Sequence, residues 1–568
     1  MRLPKIQKTF DGLRAEMDSW NLRRPKNFFE SDANFKSSLK FWFSPPDFSK
    51  NEALLKTTGK KAGTNLNLWA IETNRDENLP KLRRFDANGN RIEGIDFHPL
   101  YHDMGRAIYG SGIMALFKEP GQDLLQLSLF YLFAQNGEAG HCCPLACTAG
   151  AIKLISRVGS PELKEKFLPR LLDPNYDTHL HASQFLTEIQ GGSDVGATQT
   201  IAREDGDRFR LYGEKWFCSV IDAPLWVLTA RPEGAPDGTR GLTTFVAPRF
   251  LEDGKPNHFE IKRIKYKVGT RSMASAEIDL NGLEAFPVGD AGEGFKYVVD
   301  IVLNTSRLYN AFAAAGFMRR ATVEGFSFAH SRRAFGQLIS TYPLVQRSLA
   351  RLRAGSALSL ALCLKTASLA AKISDGTATK EETSEFRFLV NANKYWSAIR
   401  CTQLVREAIE ILGGNGTIEE FSVLPRLFRD AIVLESWEGS HNVLCLQILK
   451  DMQKYEIHEA LFARAFETLK TVKNPDIEKR LKSIQEKGTK LLKLEPRSAQ
   501  LAIRVWLDQL MPLLEALSLS EEALAEKARA EDTLKDTIVH YAISSLDDRD
   551  IEDSVLAKFE KTLAQPLF

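Results

Sequence analysis

Strong net charge is missing from this chain: 75 Lys and Arg face 73 Asp and Glu, for a formal charge of +2. Such a balance gives no global reason to expect a nucleic-acid or membrane partner. A metal framework is missing too. The seven cysteines are Cys142, Cys143, Cys147, Cys218, Cys363, Cys401 and Cys445. Odd in number and scattered through apolar runs, they read as free thiols in a reducing compartment. His141-Cys142-Cys143-Pro144 with Cys147 has no second Cys/His pair at zinc-ligand spacing elsewhere, so no metal is expected. No apolar run approaches the ~20 residues needed to span a bilayer. The start, Met1-Arg2-Leu3-Pro4-Lys5, soon turns polar without a signal-peptide core. The expectation is a cytoplasmic protein with no membrane span. What is present is ordinary globular material: 568 residues, 43% hydrophobic and 26% charged, enough for several domains.

Periodicity divides the chain. Residues 1–60, with Pro and Asn punctuation and aromatic clusters such as Phe41-Trp42-Phe43, read as an irregular or short-helix lead segment. Residues 61–182 are helix-rich: Asp123 to Gln135 carries Leu, Phe and Tyr at helical spacing, and Pro144 to Val158 is a small-residue helix suited to close packing. From about 183 the period becomes two. Strand-like runs occupy Arg208–Tyr212, Leu225–Thr229, Leu242–Val246, His258–Lys267 and Ala276–Leu280, punctuated by Gly and Pro. They predict a compact β-barrel or sandwich over 183–290. Helical period returns over 291–453, with candidate helices at 294–331, 343–374, 380–412 and 439–453. A more charged helical extension fills 454–568 and is split near Glu495-Pro496.

Five segments could carry chemistry. Phe185-Leu186-Thr187-Glu188-Ile189-Gln190-Gly191-Gly192-Ser193-Asp194 offers glycine-turn amides and two hydroxyls to phosphate or carbonyl oxygens, or is a polar turn between elements. In Lys215-Trp216-Phe217-Cys218-Ser219 the Trp plane can cover an aromatic cofactor, or fill a barrel core. Arg332-Arg333-Ala334-Phe335-Gly336 closes a helix, where arginine can clamp a diphosphate or simply answer the helix dipole. Ile411-Leu412-Gly413-Gly414-Asn415-Gly416 is either a helix C-cap or a place for a diphosphate to approach the backbone. In Ser436-Trp437-Glu438-Gly439-Ser440-His441-Asn442, Glu438 can be a helix-start carboxylate, or a general base tuned by a partly dry aromatic setting.

The order and spacing of these segments resemble the acyl-CoA dehydrogenase superfamily. That pattern runs T-E-x-x-x-G-S-D, K-x-W, R-x-x-F-G, G-G-x-G and then an aromatic before E-G-Ser or Thr. The closer resemblance is to the AidB branch. It rests on Gln190-Gly191-Gly192-Ser193-Asp194, Trp216-Phe217 with Ser219, Arg271-Ser272 with Ala274-Ser275, and Glu419-Glu420 before Leu424-Pro425-Arg426-Leu427. Trp437-Glu438-Gly439-Ser440 with Asn442, Leu82–Ala87, Phe97-His98-Pro99 and the extra C-terminal helices add to it.

The resemblance implies a mostly helical α+β fold: N-terminal helical domain, middle β-barrel, C-terminal four-helix bundle and an extra helical domain. It implies FAD, bound by Phe185, Leu186, Thr187, Gly192 and Ser193, covered by Trp216, Phe217, Cys218 and Ser219, and flanked by Trp437, Gly439, Ser440 and Asn442. Arg332, Phe335, Gly413 and Gly414 would reach the FAD of a neighbouring subunit in a homotetramer. The implied reaction, in fatty acid metabolism, is α,β-dehydrogenation of an acyl-CoA with Glu438 as base and hydride transfer to flavin N5. Electron-transferring flavoprotein is the implied acceptor. Two departures bear on the substrate. Ser272-Met273-Ala274-Ser275-Ala276 lacks the acidic residue and arginine that many members place there, and Glu410 stands where many have Gln. The alternatives are an acyl-CoA-sequestering flavoprotein, or a DNA-binding flavoprotein of alkylation stress with its basic surface in the C-terminal domain. Residues 464–504 do hold eleven Lys/Arg against five Asp/Glu, but 505–568 hold six against fourteen.

Overall fold

A computed structural model describes residues 3–527, 533–547 and 554–568. The lead segment is helical rather than irregular: α1 (Leu3–Leu22), α2 (Ala33–Trp42) and α3 (Pro45–Lys61). Its polar punctuation consists of helix starts. Asp32 accepts from the Phe35 amide at 3.1 Å, and Ser44 precedes Pro45-Pro46 at the first turn of α3, where a missing N–H costs nothing.

The next region holds α4 (Asn67–Thr73), the hairpin β1 (Lys81–Phe85) and β2 (Arg91–Asp96), then α5 (Pro99–Tyr109), α6 (Asp123–Ala134), α7 (Cys142–Val158) and α8 (Pro161–Leu171). The hairpin was not expected in this helix-rich stretch. Asp86 accepts from the amides of Asn88 and Asn90 and fixes its turn, the Asx geometry that short polar side chains favour.

The β-domain contains β3 (Ala182–Phe185), β4 (Ile201–Asp205), β5 (Arg208–Ser219), β6 (Leu225–Pro232), β7 (Thr243–Pro248), β8 (Phe259–Ile264) and β9 (Ser275–Val288). Strands β6, β4, β5, β9 and β7 pair in a closed ring; β3 adds to β6 and β8 to β9. Closure removes the exposed edges an open sheet would present. Its core is apolar, with Phe185, Trp226, Phe245 and Ile278 fully buried.

The second helical region begins with α9 (Gly294–Tyr297), continues through a π-helical stretch at Val298–Leu303, and enters α10 (Asn304–Ala329). After the short hairpin β10 (Arg333–Ala334) and β11 (Gln337–Leu338) come α11 (Pro343–Ser374), α12 (Lys380–Leu412), α13 (Leu424–Ser436) and α14 (His441–Tyr455). Every residue of α10 from Thr305 to Ala329 is buried, so it lacks the polar stripe of a surface helix. Small residues allow the close crossing: a Cβ on Gly316 would lie 3.0 Å from the Tyr131 carbonyl of α6. Helix α11 is long and apolar enough by composition to cross a membrane, contrary to the expectation that no run approaches that length. Its most apolar window is 83% buried inside the bundle, the signature of a core helix.

The extension comprises α15 (Ile457–Val472), α16 (Pro475–Leu491), α17 (Pro496–Lys527), α18 (Leu534–Ser544) and α19 (Ser554–Leu563). It packs on the bundle through its own core, with Trp506 edge-on to Phe388. It also reaches the lead segment: Glu522 accepts from Ser38 at 2.6 Å and pairs with Lys535 at 2.9 Å.

Candidate functional site

The site forms where the barrel meets the near end of the bundle. Helix α13 stops at Trp437, whose extended backbone breaks the helical path. Glu438 then takes φ +56° and Gly439 φ +109°. A left-handed glutamate is unusual and needs support from its surroundings. Gly439 has no such difficulty, and a Cβ there would press on Leu444 at 3.3 Å. Ser440 then starts α14.

Two buried cations hold this turn by its carbonyls. Arg307, on α10, donates from Nε to the Glu438 carbonyl at 3.0 Å and from Nη1 to Asn391 at 2.7 Å. Lys394, on α12, donates to the carbonyls of Glu435 at 3.0 Å and Gly439 at 2.8 Å. The Glu438 carboxylate receives one side-chain hydrogen bond, from Gln184 Nε2 on β3 at 2.8 Å. Burial pushes Glu438 up to about 7, against the pull of Arg307, Lys394 and Gln184. Burial also brings Lys394 down to about 7 and Arg307 to about 10. A carboxylic acid balanced near neutrality can take and return a proton at ordinary pH.

A cleft opens beside Glu438. Trp437, Cys143, Cys147, Ser306, Tyr309 and Asn310 are among its walls. The thiols of Cys143 and Cys147 lie 3.8 Å apart, one helical turn from each other on α7. All seven cysteines are free and buried, and the described residues hold no cluster fit for a metal.

The barrel contributes a ledge. The Trp216 amide donates to the Thr187 carbonyl at 2.9 Å, joining the turn after β3 to the middle of β5. Gly191, Gly192 and Ser193 are exposed on that turn, with Phe217 half-exposed on the strand. Turn amides and hydroxyls beside an apolar face suit a planar ring with a phosphate tail. Lys265 Nζ sits 3.7 Å over the Trp216 ring and 4.6 Å over the Phe217 ring, so one cation faces both. The K-x-W spacing, counted from Lys215, lands on Phe217, the more open of the two rings. Phe185 packs in the barrel core against Trp226, and Cys218 is fully buried; only their backbones can face a ligand. Leu186, Thr187 and Ser219 are half-buried, and Ser219 Oγ lies 3.1 Å from Ser275 Oγ. Asn442 is exposed at the start of α14, where Arg504 of α17 donates to it at 3.3 Å.

Arg332, Phe335, Gly413 and Gly414 do not join this group. Arg332 lies 25 positions after Arg307, roughly 35 Å farther along α10 at about 1.5 Å per residue. Gly413 follows Lys394 by about 28 Å along α12 on the same reckoning. All four are exposed at the far end of the bundle, and Phe335 is 97% exposed at the tip of the β10–β11 hairpin. They can serve such a site only on another copy of the chain.

Gln184, Arg307 and Lys394 were not among the expected site residues. A cation inside an apolar helix run is a legible signal, and both Arg307 and Lys394 fit it. Gln184 carries none, because only the pairing of β3 beside β6 brings it to Glu438. In the loop where many members carry an acidic residue and arginine, Met273, Ala274 and Ser275 are buried, and Lys267 donates to Met273 O and Ser275 Oγ, each at 2.9 Å.

Comparison with known proteins places this architecture. Family models match at residues 21–178 (adaptive response protein AidB N-terminal domain), 183–283 (acyl-CoA dehydrogenase, middle domain) and 292–453 (acyl-CoA dehydrogenase, C-terminal domain). AidB of Escherichia coli is 33% identical over 433 residues, covering 73% of this chain and 77% of the relative. Acyl-CoA dehydrogenase family member 11 of Caenorhabditis elegans is 30% identical, covering 75% and 71%. Among solved structures, Bd2924 in its apo form superposes with TM-score 0.82 at 29% identity, over 88% of this chain and 98% of that one. The Caenorhabditis elegans protein ACDH-11, solved with C11-CoA, gives TM-score 0.78 at 25% identity, over 95% and 91%.

Proposed function

The chain belongs to the acyl-CoA dehydrogenase family, and from that premise we propose that it is an FAD-dependent oxidoreductase that uses Glu438 to remove the α-proton of an acyl-CoA thioester. One observation carries the proposal: Glu438 stands in a left-handed turn on the wall of a cleft, with one amide donor and a pKa near 7.

The α-proton of a thioester is weakly acidic, so its base must be partly stripped of water. Burial supplies that condition, while Arg307 and Lys394 keep the ionised form within reach at neutral pH. Because these cations bond to carbonyls, their charge acts on the Glu438 carboxylate without neutralising it by direct pairing. Gln184 donates to the carboxylate, and Trp437 lines the cleft beside it. Thr187, Gly192, Ser193, Phe217 and Ser219 are the residues that would hold FAD on the ledge. FAD, when bound, supplies the acceptor for the hydride that leaves the β-carbon. Arg332, Phe335, Gly413 and Gly414 would meet the FAD of a neighbouring subunit in the expected homotetramer, with electron-transferring flavoprotein as the expected acceptor.

The DNA-binding alternative has less support. Within the basic stretch, Lys470 pairs with Glu467, Arg480 with Asp547 and Lys482 with Glu478, which dilutes the clustered charge that phosphate binding needs.

Anaerobic mixing of the FAD-loaded protein with a panel of acyl-CoAs tests the function. Oxidised flavin should bleach, and Glu438→Gln should slow bleaching by about 10²–10⁴-fold while FAD stays bound. Absence of bleaching by every acyl-CoA, or unimpaired bleaching by Glu438→Gln, would overturn the assignment.

A further inference from the structure

The match to the acyl-CoA dehydrogenase C-terminal domain ends at residue 453, before the helical extension begins. One helix of that extension, α17, nevertheless reaches the segments on both sides of the Glu438 turn. The turn has a neck: His441 Nε2, at the start of α14, lies 2.9 Å from Glu435 Oε2, near the end of α13. The Tyr395 ring of α12, next in sequence to Lys394, stands edge-on to His441 with centroids 5.5 Å apart. Tyr395 is buried, and its hydroxyl donates to Asp508 of α17 at 2.5 Å. One helical turn earlier on α17, Arg504 donates to Asn442 at 3.3 Å and lies 5.9 Å over the Tyr395 ring. The Arg504–Asn442 bond is exposed and competes with water, so it contributes less. The bond to Asp508 is charge-assisted and ends on a buried ring, so it contributes more. Behind the turn, Leu444 would meet any Cβ on Gly439, and it shares one apolar core with Trp506 and Leu507 of α17.

We infer that α17 positions the catalytic turn: Asp508, through the Tyr395 hydroxyl, and the apolar core shared with Leu444 hold the neck from which Glu438 projects. The inference rests on the reading of Glu438 as the base, and it extends the site to a helix outside the matched domains. A left-handed residue other than glycine persists only where its surroundings over-determine it. Arg307 and Lys394 fix the carbonyls of the turn from within the bundle. Helix α17 fixes its neck from the other side. Loosening the neck lets the backbone of Glu438 relax and moves the carboxylate from its place beside the cleft. Desolvation is what raises Glu438, so a displaced carboxylate titrates lower. Asp508 and Tyr395 are therefore positioning residues, acting through His441 and the turn.

The test uses the FAD-loaded full chain. Tyr395→Phe removes the hydroxyl and keeps the ring. Asp508→Ala removes the acceptor, and Asp508→Asn restores an acceptor oxygen. Arg480→Ala, which breaks the Arg480–Asp547 pair elsewhere in the extension, is the control. The first reading is the Glu438 carboxyl titration, taken without substrate as an infrared difference between each protein and its own Glu438→Gln derivative. In Tyr395→Phe and Asp508→Ala its inflection should fall by about one pH unit. The second is single-turnover flavin reduction at saturating acyl-CoA, which should slow about tenfold in the same two variants. Asp508→Asn should keep most of both, and Arg480→Ala should match the parent. Where Asp508→Ala fails to fold, Tyr395→Phe decides. An inflection that stays at the parent's value in both variants overturns the inference. So does an equal shift in Arg480→Ala, which would make the effect a general loosening of the extension. If no acyl-CoA reduces the parent's flavin while the inflection still falls in the two variants, the acyl-CoA reading fails and the positioning role stands.

Discussion

Two glutamates, one buried in the barrel and one half-buried at the bundle's edge, have opposite proton affinities. Glu188 follows β3 and faces Lys215 of β5 at 2.8 Å. It also accepts from the Thr200 hydroxyl at 2.5 Å and the Gln199 amide at 2.7 Å. Burial alone would raise its pKa, but Lys215 and these donors bring it down to about 2. Glu438 is also near two cations, yet they spend their N–H groups on backbone carbonyls and on Asn391, and it rises to about 7. What separates the two is where the donors point. Direct donors hold a carboxylate ionised; cations held one bond away leave it able to exchange a proton. The first arrangement joins strands, and the second suits a base.

The largest way to break the comparison is in the barrel. Lys215→Met strands Glu188 as an unpaired buried charge, and the barrel should lose about 3–5 kcal/mol. Denaturant unfolding of the variant should show it, and adding Glu188→Leu should recover most of the loss. If Lys215→Met unfolds like the parent, the pair is not what joins β5 to the turn after β3. The next effect is on rate. Proton removal needs the ionised form of Glu438, so single-turnover flavin reduction should rise about tenfold per pH unit well below 7; Lys394, also brought down to about 7, loses its charge over the same range, so the inflection near 7 belongs to the two groups together. The Glu188 pair contributes nothing to that profile. Its folded pKa is depressed, so its stabilisation is complete above the unfolded value of 4.5 and is lost only as pH falls toward 2.

Much of this contrast was legible in the residues, for identifiable reasons. Period-two runs and turn punctuation marked five of the barrel's strands, although β6 and β7 are buried along nearly their whole length without alternating. The hairpin at Lys81–Asp96 escaped because its strands lie on the surface, where its burial pattern is weak. Helix α13, which delivers Glu438, fell between two expected helices, 380–412 and 439–453; its Pro425 occupies a first-turn position. Glu438 itself followed from motif order. Its chemistry did not, because Gln184, Arg307 and Lys394 come from three elements distant in sequence. Glu188 shows the reverse failure: it sits inside a cofactor-like motif, yet its carboxylate belongs to Lys215. Only the far-end group needed simple helix length to be separated, since about 35 Å of α10 divides Arg332 from Arg307.

A smaller change sharpens the comparison from the Glu438 side. Gln184→Leu removes its one side-chain donor, so the ionised form loses support and the inflection in flavin reduction should move alkaline by about one pH unit. An inflection that stays put would show that Gln184 does not act on the carboxylate. The smallest effect concerns stability. The folded pKa of Glu438 is raised, so the free energy it contributes is complete below 4.5 and is lost as pH rises through about 7. At pH 8 the ionised carboxylate is therefore a cost to the fold. Glu438→Gln, which keeps shape and removes charge, should make the protein more stable at pH 8 by about 1–2 kcal/mol. The gain should vanish near pH 5, where the parent carboxyl is already protonated. Denaturant midpoints of parent and variant at the two pH values decide it. A gain equal at both would mean that the charge of Glu438 is solvated as well in the folded protein as in the unfolded chain. The contrast with Glu188 would then lie in geometry alone.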